Sequence, residues 1–96
     1  MKILAVCGMG VGSSLLLRMQ AEKALKKLGA TADFDVADIG TARGASRGVD
    51  IILTTAELAE RLDGVTSRIV IIGNFLSLDE MVERLGSALR EAGAIQ

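Results

Sequence analysis

The chain has 96 residues, half of them hydrophobic, and its 11 basic and 12 acidic side chains leave a formal net charge of −1. That length buries about 60–65% of the unfolded surface and suits one compact core, so residues 1–96 are expected to form a single domain. The charges are scattered, without the basic stripe that nucleic-acid binding needs. With no His, Tyr or Trp and a single Cys, an internal disulfide is excluded, a metal site or cofactor is not expected, and covalent chemistry falls to Cys7.

The first element is the apolar run Ile3 to Cys7, bounded by glycine, whose length fits a fully buried strand. It is too short for a signal segment, and nowhere do about eighteen apolar residues follow one another, so no direct membrane insertion is expected. A lone thiol in such a chain suits the reducing cytoplasm. Leu17, Ala21, Ala24, Leu25 and Leu28 then recur at helical spacing, with Arg18, Glu22, Lys23, Lys26 and Lys27 between them and Gly29 as the stop. A helix is predicted from Ser13 or Ser14 to Leu28.

Thr31 to Ile39 alternates, with Ala32, Phe34 and Val36 on one face and Asp33 and Asp35 on the other, as in an edge strand with one wet face. "GTARGASRG", residues 40–48, reads as a loop by composition. "DIILTT" gives a third, buried strand, and Thr54 with Glu57 has the spacing of a capping box opening a short helix through Leu62. "RIVIIG", Arg68 to Gly73, is the fourth strand.

The last helix has the clearest signals. Ser77 and Glu80 form a capping box, Leu76 and Met81 a hydrophobic staple, and Gly93 supplies the C-terminal stop. Its apolar face is Leu78, Met81, Val82, Leu85, Ala88, Leu89 and Ala92. Alternating strands and helices with right-handed crossovers predict an α/β fold, a four-stranded parallel sheet with helices on both faces.

In such a sheet, ligands bind beyond the carboxyl ends of the strands, where the first strand places Cys7. The stretch after it, Gly8, Met9, Gly10, Val11, Gly12, Ser13 and Ser14, leads into a helix N-terminus. Its glycines let backbone N–H groups converge on one point, the helix dipole adds partial positive charge, and the serines add hydroxyl donors and an N-cap. That field favours a thiolate, a good nucleophile, so the stretch holds both a phosphoryl acceptor and donors for the phosphoryl group.

On the residues alone a second reading stands beside it: a small core cysteine followed by an ordinary glycine-rich turn. Other phosphate motifs fit less well. GxxxxGK[ST] is absent, and Ser13 stands both where GxGxxG needs its last glycine and where the Cys-x5-Arg phosphatase loop needs arginine. Neutral donors without an arginine clamp suit a carrier that hands the group on rather than hydrolysing it.

Three further sets of residues carry two readings each. Met9 and Val11 are either an apolar docking rim around Cys7 or packing beneath residues 40–48. Thr54, Thr55 and Asn74 lie on the site side of the sheet, or are cap and loop residues. Arg43 and Arg47 either offset phosphate charge or are merely solvated.

"KILAVCGMGVGSSLLLRM", "GVDIILTT" and "VIIGNFLSLDEMVERL" resemble the IIB component of bacterial phosphotransferase systems, most of all the ascorbate-specific type, with the galactitol type as a near relative. The resemblance spans essentially the whole chain, and its most specific part is Cys-Gly-x-Gly-x-Gly-Ser-Ser. It implies a Rossmann-like IIB fold with strand order 2-1-3-4 and a cytoplasmic phosphocysteine carrier. Such a carrier is loaded by a phosphohistidine on a IIA protein and delivers to a sugar or sugar acid bound by a membrane IIC protein. Carried over, it makes Cys7 the phosphoryl acceptor and Gly8, Met9, Gly10, Val11, Gly12, Ser13 and Ser14 the loop around the phosphate. The alternative from another class is a IIB-like signalling module whose phosphorylation on Cys7 regulates a partner; the chain's end at Gln96 is expected to favour the separate carrier.

Overall fold

A computed structural model of the chain describes residues 1–7, 11–73, 77–93 and 95, with the backbone alone for Cys7 and residues 11–14. Strand β1 is Lys2–Cys7, followed by helix α1, Val11–Leu28, and β2, Asp33–Asp38. A single helical turn, α2, Ala42–Ala45, leads to β3, Ile51–Thr54. Helix α3, Ala56–Ala59, runs on as a 3-10 turn, Glu60–Leu62; β4, Arg68–Ile71, and α4, Leu78–Glu91, complete the order.

The four strands form one parallel sheet in the order β2-β1-β3-β4, as expected. Burial explains why β1 and β3 are central. Ile3, Leu4, Ala5 and Val6 are all buried, as are Ile51, Ile52 and Leu53, and a run apolar on both faces is stable only between two neighbours and two layers of helix. Asp33, Asp35 and Asp38 are exposed on β2, which fits an edge strand.

Helices cover both faces. On one, Ile3, Ala5, Ile51, Leu53 and Val70 meet Leu17, Ala21, Ala24 and Leu25 of α1 and Met81, Leu85, Ala88 and Leu89 of α4. On the other, Leu4, Val6 and Ile52 meet Ala42, Val49 and Leu62. α1 and α4 also pack against each other, and Gly86 permits their approach: a Cβ there would lie 3.0 Å from Leu28 Cδ2.

The helix ends follow local chemistry. Gly29 has φ +68° and its N–H donates to Lys26 O, closing α1 where the sequence places the stop. Ser77 Oγ accepts from Glu80 N at 3.2 Å, and Gly93, φ +78°, follows α4. The staple partner Leu76 lies outside the described residues. Of the apolar face of α4, Leu78 and Val82 are half-buried, while Ala92, just past the last turn, is exposed.

Five features differ from the sequence reading. α1 begins at Val11, so Ser13 and Ser14 lie inside its first turn rather than at its N-cap. β2 is shorter than Thr31 to Ile39, and β4 ends at Ile71. Residues 40–48 contain α2, because the Asp38 carboxylate accepts from Thr41 N at 2.9 Å, shaping a turn that buries Ala42. The cap of α3 is Thr55, whose Oγ1 accepts from Leu58 N, not Thr54, which is the buried last residue of β3.

Candidate functional site

The strand order fixes where a ligand can be held. From β1 the chain crosses to β2 on one side, then returns over β1 to β3 on the other, with α1 on one face of the sheet and α2 on the opposite face. The crevice at such a switch point opens beyond the carboxyl ends of β1 and β3. Cys7 is the last residue of β1 and Thr54 the last of β3.

Only residues 8–10 separate Cys7 from the start of α1 at Val11. Val11, Gly12, Ser13 and Ser14 form the first turn of α1, where the opening N–H groups of a helix have no partner inside it. The second half of the sequence-predicted phosphate loop is therefore a helix N-terminus of eighteen residues' length, with partial positive charge at the end nearest Cys7. Gly8, Met9 and Gly10 lie outside the described residues.

The neighbours of Cys7 come from β2 and β3. Cys7 is in register with Asp38, whose carboxylate is engaged by the N–H of Thr41 at 2.9 Å and its hydroxyl at 3.2 Å. On the other side Thr54 Oγ1 donates to Val6 O at 3.1 Å, and the Thr54 carbonyl accepts from Ile72 N. Beyond β4, the Glu80 carboxylate accepts from Gly73 N at 2.7 Å and pairs with Arg84, tying α4 to the residues leaving the sheet. Asn74 lies outside the described residues.

Arg43 and Arg47 are placed elsewhere. They line a groove of about 230 Å³ with Ser46, Gly64, Val65 and Thr66, which lead into the N-terminal end of β4, the edge opposite Cys7. Both side chains are exposed there, as the solvated reading expects. Of the expected docking rim, Met9 lies outside the described residues and Val11 is known only as the first residue of α1.

An apolar surface that the helical pattern did not reveal lies one turn further on. Leu15, Leu16 and Met19 of α1 are exposed, at 58%, 39% and 48%, off the stripe of Leu17, Ala21, Ala24 and Leu25 that faces the core. Their signal was available in the sequence: leucines at 15 and 16 do not belong to the 17, 21, 24, 25, 28 series. Around them stand Lys23 and an Arg18–Glu22 pair at 3.0 Å. Exposed apolar side chains that adjoin one another offer a partner a contact surface.

Among the described residues no group of three His, Cys, Asp or Glu side chains gathers to hold a metal ion. No described helix is long and apolar enough to cross a membrane.

Comparison with known proteins matches residues 2–93 to the family described as "PTS system, Lactose/Cellobiose specific IIB subunit". Among similar curated proteins, the "Ascorbate-specific PTS system EIIB component" of Mycoplasma pneumoniae is 31% identical over 91% of this chain and 93% of its own length. Proteins of the same description from Salmonella typhimurium and Escherichia coli O157:H7 are each 26% identical over 94% of this chain and 90% of their own.

Proposed function

The chain belongs to the IIB family of phosphotransferase systems, and from that premise we propose that it is a cytoplasmic phosphoryl carrier in which Cys7 holds the group. The observation that carries this reading is the placement of Cys7 at the end of β1, beside the switch point and just before the first turn of α1.

Loading proceeds by attack of the Cys7 thiolate on the phosphorus of a phosphohistidine on a IIA protein. The S–P bond forms, the N–P bond breaks, and the histidine leaves as neutral imidazole once it takes up a proton. The amides of the first turn of α1 stabilise the charge spread over the phosphoryl oxygens. Delivery reverses the roles: a hydroxyl of the substrate held by a IIC protein attacks phosphorus, loses its proton, and the thiolate leaves. With neutral donors around it, the phosphoryl group is held without an arginine that would speed transfer to water.

The names of the relatives support ascorbate as the substrate of the system this chain serves. The IIA partner has to cover the carboxyl edge of the sheet to reach Cys7, and Leu15, Leu16 and Met19, exposed in the turns of α1 that follow the first, would extend that contact.

The test uses purified general phosphotransferase components, a IIA protein of the ascorbate type and this chain. Wild type accepts labelled phosphoryl and releases it when ascorbate and IIC-containing vesicles are added; Cys7→Ser folds and stays unlabelled. Labelling of the Cys7→Ser chain at the wild-type rate would overturn the role of Cys7. Release with galactitol but not ascorbate would reassign the substrate.

A further inference from the structure

Among the described residues two polar side chains are buried, Ser46 and Thr54. Ser46 bonds within its own turn, to Arg43 O. Thr54 is different. It is fully buried at the end of a strand whose other residues are Ile51, Ile52 and Leu53, a place that valine would fill without burying a hydroxyl. A buried hydroxyl is costly unless bonded, and this one reaches across the sheet to Val6 O at 3.1 Å.

The geometry of that bond bears on Cys7. The Cα register of β1 with β3 runs from Ile3↔Ile51 to Ala5↔Leu53, and the hydroxyl acts one step further on. Its acceptor is the carbonyl of the peptide unit joining Val6 to Cys7. That unit is planar and trans, so fixing its oxygen toward β3 also fixes the Cys7 N–H toward β2 and orients the Cα that bears the thiol. Thr54 is itself held, because its carbonyl accepts from Ile72 N at 2.8 Å beyond the Thr54↔Ile71 pair. A single residue thus joins the carboxyl ends of β1, β3 and β4 at the switch point.

We propose that Thr54 is a positioning residue for phosphoryl transfer: its buried hydroxyl clamps the Val6–Cys7 peptide so that Cys7 is presented to the incoming phosphorus in one orientation. The proposal rests on the reading of Cys7 as the phosphoryl carrier. In-line displacement is sensitive to the direction of the nucleophile, and loosening the peptide that carries it lowers the fraction of encounters in reactive geometry.

The experiment compares wild type, Thr54→Val, Thr54→Ala and Thr54→Ser. For each, the initial rate and the endpoint of phosphoryl loading from phosphorylated IIA, the rate of Cys7 alkylation by iodoacetamide, and the melting temperature are measured. Thr54→Val is expected to reach the full loading endpoint with an initial rate about fivefold to tenfold lower, the scale of one lost hydrogen bond. Its alkylation rate falls as well, and Thr54→Ser restores both rates.

Thr54→Val loading and alkylating at wild-type rates would overturn the proposal, as would Thr54→Ser being as slow as Thr54→Val. If valine prevents folding, the Ala and Ser variants decide in the same way: Ser fast with Ala slow supports the clamp, and equal rates refute it. A rate loss in Thr54→Ala or Thr54→Val that vanishes well below the melting temperature would assign Thr54 to stability alone. Failure of wild type itself to load removes the premise, and the proposal with it, and is told apart because no Thr54 variant is then involved.

Discussion

Glu80→Ala tests how the fold anchors the segment that leaves β4 toward the site. The Glu80 carboxylate accepts from Gly73 N at 2.7 Å and from Arg84 Nε at 3.3 Å, and it stands in the first turn of α4. A hydrogen bond to a charged group contributes about 1.5–3 kcal/mol when well buried; Glu80's side chain is 25% exposed, which sets its bond to Gly73 nearer about 1–2 kcal/mol. The Arg84 side chain is 56% exposed, so the ion pair adds only a few tenths. The interaction of an acidic group with the helix dipole adds about 0.3–1 kcal/mol. Together the loss is about 1.5–3.5 kcal/mol, or at about 6 °C per kcal/mol a fall of about 9–21 °C in melting temperature for a domain of this size. Arg84→Ala removes the pair alone and is expected to lower it by no more than about 3 °C. Glu80→Gln keeps an acceptor for Gly73 without the charge and falls between the two. Thermal and urea unfolding followed by circular dichroism measures all three. Equal destabilisation by Glu80→Ala and Arg84→Ala would refute the anchoring role of the Gly73 bond.

Leu15→Asp is expected to leave the melting temperature within about 2 °C of wild type, because the side chain is mostly in solvent, and to slow loading from IIA by spoiling an apolar contact and repelling phosphate. A large fall in stability, or unchanged loading, would remove Leu15 from the docking surface. The pH dependence of Cys7 alkylation is expected to have its midpoint below that of free cysteine, because cysteines near helix N-termini ionise more readily and Cys7 precedes α1 by only residues 8–10. A midpoint at or above the free value would mean that the helix N-terminus does not act on the thiol.

Much of the fold was legible because local and global demands agree. Ile3 to Val6 and Ile51 to Leu53 are apolar at every position, and only central strands between two helical layers tolerate that. Gly29, Ser77 and Gly93 mark helix ends through backbone chemistry that needs no tertiary partner. The misreadings come where local signals are degenerate. Thr54 and Thr55 are adjacent, and Glu57 completes the capping-box spacing with Thr54; the need to extend β3 assigns Thr54 to the sheet and leaves the cap to Thr55. Ser13 and Ser14 resemble caps, yet α1 begins two residues before Ser13. The glycines at 40, 44 and 48 concealed a helical turn that the local Asp38–Thr41 bonds open and the burial of Ala42 in one cluster with Leu4 and Ile52 holds in place. At the candidate site, the cysteine and its position could be read from the chain. The bond from Thr54 to Val6 could not, because it joins residues 48 apart and depends on strand order.

Locating the phosphoryl group tests the role of Cys7 most directly. After brief incubation with phosphorylated IIA, the chain is digested under conditions that preserve S–P bonds and its peptides are sequenced by mass spectrometry. The modification is expected on Cys7 alone, removed by iodine treatment that cleaves thiophosphates. A phosphoryl group found on Ser13 or Ser14 with Cys7 unmodified would contradict that role.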